Sequence, residues 1–162
     1  MTKTSASCVL SAALALLVPA TARAAKPIVA WHIKNPPAKA LKPGDRFNLV
    51  LSGQIEAGWH LYALEEPPEA AVATIIGLTE GDPADLLHVE EGKPKISLDP
   101  LFNVHTGFFT DTTDFTLNLK LAKNAPIGSA LLHVLVRYQS CNDHLCLPSH
   151  TDTIEVQLAT VK

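Results

Sequence analysis

Residues 114–121 alternate strictly between polar and apolar side chains, and this two-residue period limits the fold more than any other feature of the chain. Such alternation is typical of a β-strand that has one face in a core and the other in solvent. Similar alternation and shorter β-rich runs elsewhere predict further strands. These cover residues 27–34, 46–55, 59–64, 73–78, 130–139 and 153–161.

Residues 130–139 are apolar on both faces, which predicts a strand in the middle of a sheet. No helical period follows the N-terminal segment, and the 12 prolines argue against long helices. Short strands separated by Pro and Gly predict an all-β chain folded as a β-sandwich. Residues 82–109 are poorly patterned, and we expect a loop with short strands there; irregular segments of that length are usually functional.

The N-terminus has the layout of a secretory signal peptide. Lys3 precedes an apolar run at residues 9–17, and a small-x-small cleavage pattern follows at residues 22–24. The run is too short for a membrane anchor, which needs about 20 apolar residues. The chain is therefore predicted to consist of a signal peptide, residues 1–24, and one domain, residues 25–162.

Removal of the signal peptide changes both the cysteine content and the charge. Cys8 leaves with it, so Cys141 and Cys146 are what remains of the 3 cysteines, and export favours oxidation of such a pair. Loss of Lys3 and Arg23 reduces the 13 basic residues to 11 against 16 acidic ones, a net charge of −5. Without a basic run, a nucleic-acid partner is not expected. The mature chain has no second long apolar run, so no transmembrane segment is predicted in it.

The stretch YQSCNDHLCLPSH, residues 138–150, follows the predicted central strand and holds both remaining cysteines. Asn142 and Asp143 favour a turn, because their short side chains hydrogen-bond the nearby backbone. The intervening loop can therefore bring Cys141 and Cys146 opposite one another. Opposed residues in a ladder have Cα atoms about 4.5–5.5 Å apart, which is within the reach of a disulfide.

Three uses of this pair are open from the residues alone. A structural bridge is one, although closing a ring of roughly six residues contributes only about 2 kcal/mol in the chain-entropy model. A metal site is another: Cys141, His144, Cys146 and His150 suit zinc or copper, but their spacing matches no common zinc motif. The third is redox exchange, in which cysteines at an accessible loop tip react with a partner thiol through a mixed disulfide.

The stretch resembles the redox-active end of the N-terminal periplasmic domain of DsbD, the transmembrane thiol:disulfide interchange protein. Members of that family carry a strand ending in Tyr-Gln, a cysteine, a short polar loop, a second cysteine and a Pro-containing segment, as residues 138–148 do here. GQIEAGWHLYAL at residues 53–64 is similar to an aromatic landmark of the family, and DPLFNVHTGFF at residues 99–109 is similar to its cap loop. The resemblance covers residues 31–158.

The resemblance implies an immunoglobulin-like β-sandwich in the periplasm. It implies that Cys146 exchanges with partners, that Cys141 resolves the mixed disulfide, and that Phe102 shields the pair. His144 and Asp99 are candidates for tuning a cysteine pKa, although a solvated surface position is the stronger expectation for Asp99. Neither a metal nor a cofactor is implied.

The resemblance also implies a relay of reducing equivalents, from a membrane or periplasmic reductant to periplasmic thioredoxin-like proteins. The family's membrane channel and C-terminal thioredoxin domain are missing from this chain, so another protein is expected to reduce it. That predicts an electron carrier of the protein-disulfide reductase type rather than a self-sufficient enzyme. The alternative is a periplasmic binding module for zinc, copper or a protein, in which the disulfide is only structural.

The other aromatic residues have a simpler interpretation. Trp31, Trp59 and Tyr62 are predicted to lie in the core or at its edge, because such side chains bury large areas. His60 is predicted to be a polar group at a strand edge.

Overall fold

The computed structural model describes residues 27–162, so the predicted signal peptide lies outside the described residues and its boundary stays a prediction. The described residues form 11 β-strands and no helix, which confirms the all-β prediction. The strands are β1 Val29–Ile33, β2 Arg46–Ile55, β3 His60–Tyr62, β4 Ile75–Leu78, β5 Ala84–Glu91, β6 Lys95–Asp99, β7 Val104–Phe109, β8 Thr112–Leu121, β9 Gly128–Tyr138, β10 Ser140–Cys141 and β11 His150–Thr160. Within this part of the chain, no helix that could span a membrane is found.

The first sheet has the strand order β1-β2-β8-β5, and all of its neighbours are antiparallel. Its central pair, β2 and β8, runs from Arg46 opposite Lys120 to Gln54 opposite Thr112. The apolar side chains of β8 are buried, as the alternation in residues 114–121 predicts. They are Phe115, Leu117, Leu119 and Leu121.

The second sheet has the order β11-β9-β4, which places β9 in the middle as predicted. The long pair of β9 and β11 runs from Gly128 opposite Thr160 to Tyr138 opposite His150. Inward side chains of the first and second sheets share one core, so the two sheets pack face to face as a sandwich. The predicted immunoglobulin-like sandwich is thereby confirmed. This core includes Leu49, Leu51, Phe115, Leu117, Leu132, Val134, Val136 and Leu158.

A third sheet, with the order β10-β3-β7-β6, positions the cysteine pair. One face of this sheet contributes Leu61 and Phe109 to the main core. The residues next to them along the strands point the other way, since side chains alternate between the two faces. On that second face, Tyr62 and Cys141 form a separate buried cluster with Ala71.

The prediction of a loop with short strands over residues 82–109 is confirmed for the strands but underestimates their extent, because β5, β6 and β7 all lie within the segment. Two physical features hide these strands in the sequence. The pairing of β5 with β8 shifts register between Leu86 and His88, which breaks the two-residue period. β6 is an edge strand whose outward residues are apolar, with Ile96 exposed by 64% and Leu98 by 53%.

The predicted positions of the large aromatic residues are confirmed. Tyr62 is fully buried, while Trp31 and Trp59 are partly buried and pack against the main core. Tyr62 belongs to the smaller cluster around Cys141, however, and not to the main core.

Candidate functional site

Cys141 and Cys146 form a disulfide, with Cα atoms 4.0 Å apart, and they also form an isolated antiparallel bridge. The loop between them is organised by Asn142. Its Oδ1 accepts hydrogen bonds from the backbone N–H groups of His144 and Leu145, each 2.9 Å long, and its own N–H donates to the Leu145 carbonyl. This local turn brings the two cysteines together, which confirms the prediction that they can lie opposite one another.

The two cysteines differ in exposure. Cys141 is fully buried, whereas Cys146 is partly exposed. The prediction of an accessible pair is therefore wrong for Cys141, because β10 continues almost directly from the central strand β9 and pairs with β3 beneath the loop. Cys146 is therefore the more exposed cysteine of the pair.

Gln139 braces the segment that carries the pair. Its side-chain amide donates to the Leu147 carbonyl over 3.0 Å, and its side-chain oxygen accepts from the Val72 N–H over 3.0 Å. A further hydrogen bond of 2.9 Å runs from the Leu147 N–H to the Ser140 carbonyl. The backbone on both sides of the disulfide is thus held by hydrogen bonds that do not involve sulfur.

Phe102 lies in the turn between β6 and β7 and packs against the cluster that contains Cys141. Phe108 and Cys146 pack against the same cluster, and the rings of Phe102 and Tyr62 meet edge to face with centroids 6.5 Å apart. The residue predicted to shield the pair is therefore part of the same cluster as Cys141, and its shielding role stays a prediction. Phe108 was not among the residues predicted for the site.

Asp99 is 4% exposed, so the expectation of a solvated surface position is wrong. Its Oδ2 accepts a hydrogen bond of 2.7 Å from the Tyr62 hydroxyl, and its Oδ1 accepts one of 2.8 Å from the Leu101 N–H. Its carbonyl accepts from the Asn103 N–H over 2.8 Å. Asp99 therefore anchors the turn that carries Phe102. Burial, followed by the hydrogen bond to Asp99, raises the pKa of Tyr62 far above its usual value, so the hydroxyl keeps its proton.

His60 lies directly opposite Cys141 in the ladder between β3 and β10. Its ring contacts those of Tyr62 and Phe108, with centroids 5.1 Å away in each case, and its Nε2 lies 3.1 Å from the Tyr62 hydroxyl. Burial lowers the pKa of His60, against the opposing effects of Asp99 and Asp143. A signal for His60 and Tyr62 was present in the WHLY element, since alternate residues of a strand share a face.

A cavity of about 330 Å³ lies beside the loop that joins the cysteines. Its lining combines aromatic side chains, Trp59 and Phe108, with polar ones, among them His60, Lys95 and Asp143. The cavity thus extends from His60, the residue opposite Cys141, to Asp143 in the loop itself.

The structure does not assemble the four ligands considered for a metal. His144 is exposed, and the His150 ring packs at a tilt against that of Tyr138, with centroids 4.5 Å apart. Among residues 27–162, no group of three or more His, Cys, Asp or Glu side chains is arranged to hold a metal ion.

The family model for the thiol:disulfide interchange protein DsbD, N-terminal, matches residues 32–158. The chain belongs to this family. The match nearly coincides with the predicted range of residues 31–158 and includes both cysteines, His60 and Phe102. Membership in the DsbD N-terminal family makes the chain a thiol–disulfide interchange domain, with its cysteine pair at bonding distance.

Two solved structures are similar to this DsbD N-terminal-type chain. The N-terminal domain of DsbD from Neisseria meningitidis in the reduced form is 14% identical, with a TM-score of 0.49, over 67% of this chain and 75% of that chain. The N-terminal periplasmic domain of ScsB from Proteus mirabilis is 15% identical, with a TM-score of 0.48. That match covers 80% of this chain but spans only 44% of the other. No curated protein matches the chain.

Proposed function

We propose that the chain is a periplasmic module that relays reducing equivalents to thioredoxin-like proteins through Cys141 and Cys146. A membrane or periplasmic reductant supplies those equivalents. The observation that carries the proposal is the unequal exposure of the two bonded cysteines, of which Cys141 is buried and Cys146 is partly exposed. A carrier needs one cysteine that a partner can reach and a second, less accessible one that resolves the mixed disulfide.

The exchange follows from this arrangement. In the reduced module, the Cys146 thiolate attacks the partner's disulfide, releases one partner thiolate and forms a mixed disulfide. Cys141 then attacks the sulfur of Cys146, which closes the internal disulfide and releases the second partner thiolate. Two electrons pass from the module to the partner, and no cofactor is needed because the two sulfurs carry them.

Phe102 is proposed to shield the internal disulfide until a partner displaces its ring. Its contact with the Cys141 cluster supports this role, as does its place in a short turn between two strands. The tuning roles of Asp99 and His144 stay predictions. For Asp99, the support is its hydrogen bond to Tyr62 beneath the pair.

The reduction potential of the pair tests the proposal against a purely structural bridge. Structural disulfides of secreted proteins typically have potentials below about −300 mV. We expect the pair in the purified protein to equilibrate with a dithiol buffer at a clearly less negative potential, with the reduced fraction counted by thiol alkylation. A value far below that limit would favour the binding module in which the bridge only shapes the loop.

The roles of the two cysteines are tested by trapping. Cys141→Ser should accumulate a mixed disulfide with a thioredoxin-like protein through Cys146, because the resolving sulfur is absent. Cys146→Ser is the matched control and should trap little, since the remaining sulfur is buried. Stronger trapping by Cys146→Ser would reverse the two assignments.

A further inference from the structure

His60 is the titratable side chain that the strand pairing sets beside the buried sulfur of Cys141. The two residues are directly opposed in the ladder between β3 and β10. Opposed residues of an antiparallel pair project from the same face of the sheet, with Cβ atoms about 4.5–5.5 Å apart. The imidazole and the thiol that appears at Cys141 when the disulfide is reduced therefore extend from neighbouring positions on one face of the sheet.

The hydrogen bonds of Tyr62 assign the tautomer of His60. The Tyr62 hydroxyl has one proton, which it donates to Oδ2 of Asp99 over 2.7 Å. Its 3.1 Å contact with Nε2 of His60 then requires Nε2 to carry the shared hydrogen. In the neutral ring, Nδ1 is left with its lone pair and can accept a proton.

The charges that face His60 suit a group that takes up a proton and returns it. Burial lowers the pKa of His60, which keeps the ring neutral at pH 7, while the carboxylates of Asp99 and Asp143 act in the opposite direction. An imidazolium formed during exchange would be stabilised by those same carboxylates. Lys95, from β6, faces the Phe108 ring at 5.4 Å from its centroid, and Phe108 in turn contacts His60.

Given the exchange proposed above, we propose that His60 is the general base for the resolving step. The Cys141 thiol gives its proton to Nδ1 of His60 as its sulfur attacks the sulfur of Cys146. The internal disulfide forms, the mixed disulfide breaks, and the partner sulfur leaves as a thiolate. The imidazolium then returns the proton to that thiolate, directly or through water, so the ring ends neutral.

Ellman's reagent separates the two steps in the reduced protein. Attack by Cys146 releases the first coloured thiolate at a rate proportional to reagent concentration, and resolution by Cys141 releases the second at a rate independent of it. His60→Gln keeps an amide donor for Tyr62 but has no basic nitrogen. We expect it to slow the second release at pH 7 by about 100-fold, the lower end of what general acid–base catalysis contributes, and to leave the first unchanged.

The pH profile distinguishes a base from a merely structural residue. Well above the ordinary thiol pKa of about 8.5, the resolving thiol is already ionised without a base. The rates of wild type and His60→Gln should therefore converge there. His105→Gln is the matched control, because His105 is exposed and its register position on β7 points to the opposite face of the same sheet. It should change neither release.

An unchanged second release in His60→Gln, or a slowing of the same size at every pH, would overturn the role of His60 and leave the exchange proposal standing. A wild-type protein with no second release would overturn both, because Cys141 would then not resolve. His60→Asn provides a second variant if His60→Gln does not fold by circular dichroism. Its side-chain amide also has no basic nitrogen, so an unchanged second release in this variant would also overturn the proposal.

Discussion

Tyr62 donates a hydrogen bond of 2.7 Å to Asp99, and this contact joins the strand beside Cys141 to the turn that carries Phe102. Both partners are buried, with Tyr62 fully enclosed and Asp99 only 4% exposed. Asp99 also accepts from the Leu101 N–H inside the turn. One carboxylate thus connects β3 to the turn that carries Phe102, so a change at Tyr62 should affect both segments.

Tyr62→Phe should lower the free energy of unfolding by about 1–3 kcal/mol, because a buried carboxylate loses a donor that water cannot easily replace. Urea denaturation measures this loss. Tyr138→Phe is the matched control: its hydroxyl also donates over 2.7 Å, but to Asp152, whose side chain is 37% exposed. Tyr138→Phe should lower the free energy of unfolding by less than Tyr62→Phe does, since water can solvate Asp152. An equal or larger cost for Tyr138→Phe would contradict this account.

Phe102→Ala should accelerate reduction of the disulfide by dithiothreitol, because the ring that packs against the Cys141 cluster is removed. An increase of about tenfold in the second-order rate constant corresponds to about 1.4 kcal/mol of lost shielding. Stopped-flow mixing with alkylation of the products follows the reaction. Leu101→Ala changes the preceding residue of the same turn, which is 41% exposed, and should leave the rate nearly unchanged. Equal rates for Phe102→Ala and wild type would argue against a shielding role.

Local patterns were sufficient to predict the parts of the molecule that local physics determines. The alternation of residues 114–121 marks a half-buried strand, and the apolar faces of residues 130–139 mark a central one. Asn142 closes the loop between the cysteines with its own side chain, as short polar residues in turns do. Each of these features depends on neighbours within a few positions of the chain.

The parts that were missed depend on contacts between distant segments. Asp99 is buried because Tyr62, 37 positions away, supplies its hydrogen bond. His60 lies beside Cys141 because β3 pairs with β10, and no local pattern indicates which strands pair. The two-residue period assigns a side chain to a face of a sheet, but it does not indicate what lies across that face.

Gly53→Ala should destabilise the protein by about 1–3 kcal/mol through overpacking. Gly53 lies opposite Trp31 in the first sheet, and a Cβ at this position would lie 2.7 Å from the Trp31 ring. The ring has little room to yield, because it also packs against Phe115 and Tyr138 with centroids 6.2 and 5.5 Å away. Thermal or urea unfolding measures the loss.

Gly77→Ala is the matched control for this crowding. Gly77 is also a strand residue, in β4, but a Cβ there would meet nothing within 4 Å. The substitution should be neutral or stabilise slightly, by about 0.4–1 kcal/mol, since alanine reduces the entropy of the unfolded chain. Similar losses in the two variants would show that the Trp31 contact is not the cause.

Glu66→Gln should stabilise the protein relative to wild type at about pH 7 and much less at about pH 4. Burial raises the pKa of Glu66 above its usual 4.5, although the backbone N–H groups of Gly107 and Ala63 donate to Oε1 and oppose the shift. Its buried Oε2 has no hydrogen-bond partner within the described residues. The folded state therefore holds the proton more tightly than the unfolded chain does. The stability that this provides is complete below pH 4.5 and is lost as the pH rises through the folded pKa.

Glutamine keeps the Oε1 acceptor and never ionises, so the variant avoids that loss. Urea midpoints measured for wild type and variant at both pH values give the difference. Glu65→Gln removes the same charge from the exposed neighbouring position and controls for net charge. If Glu66→Gln changes stability by the same amount at both pH values, or gains more at pH 4, the carboxyl group is not the source of the pH dependence.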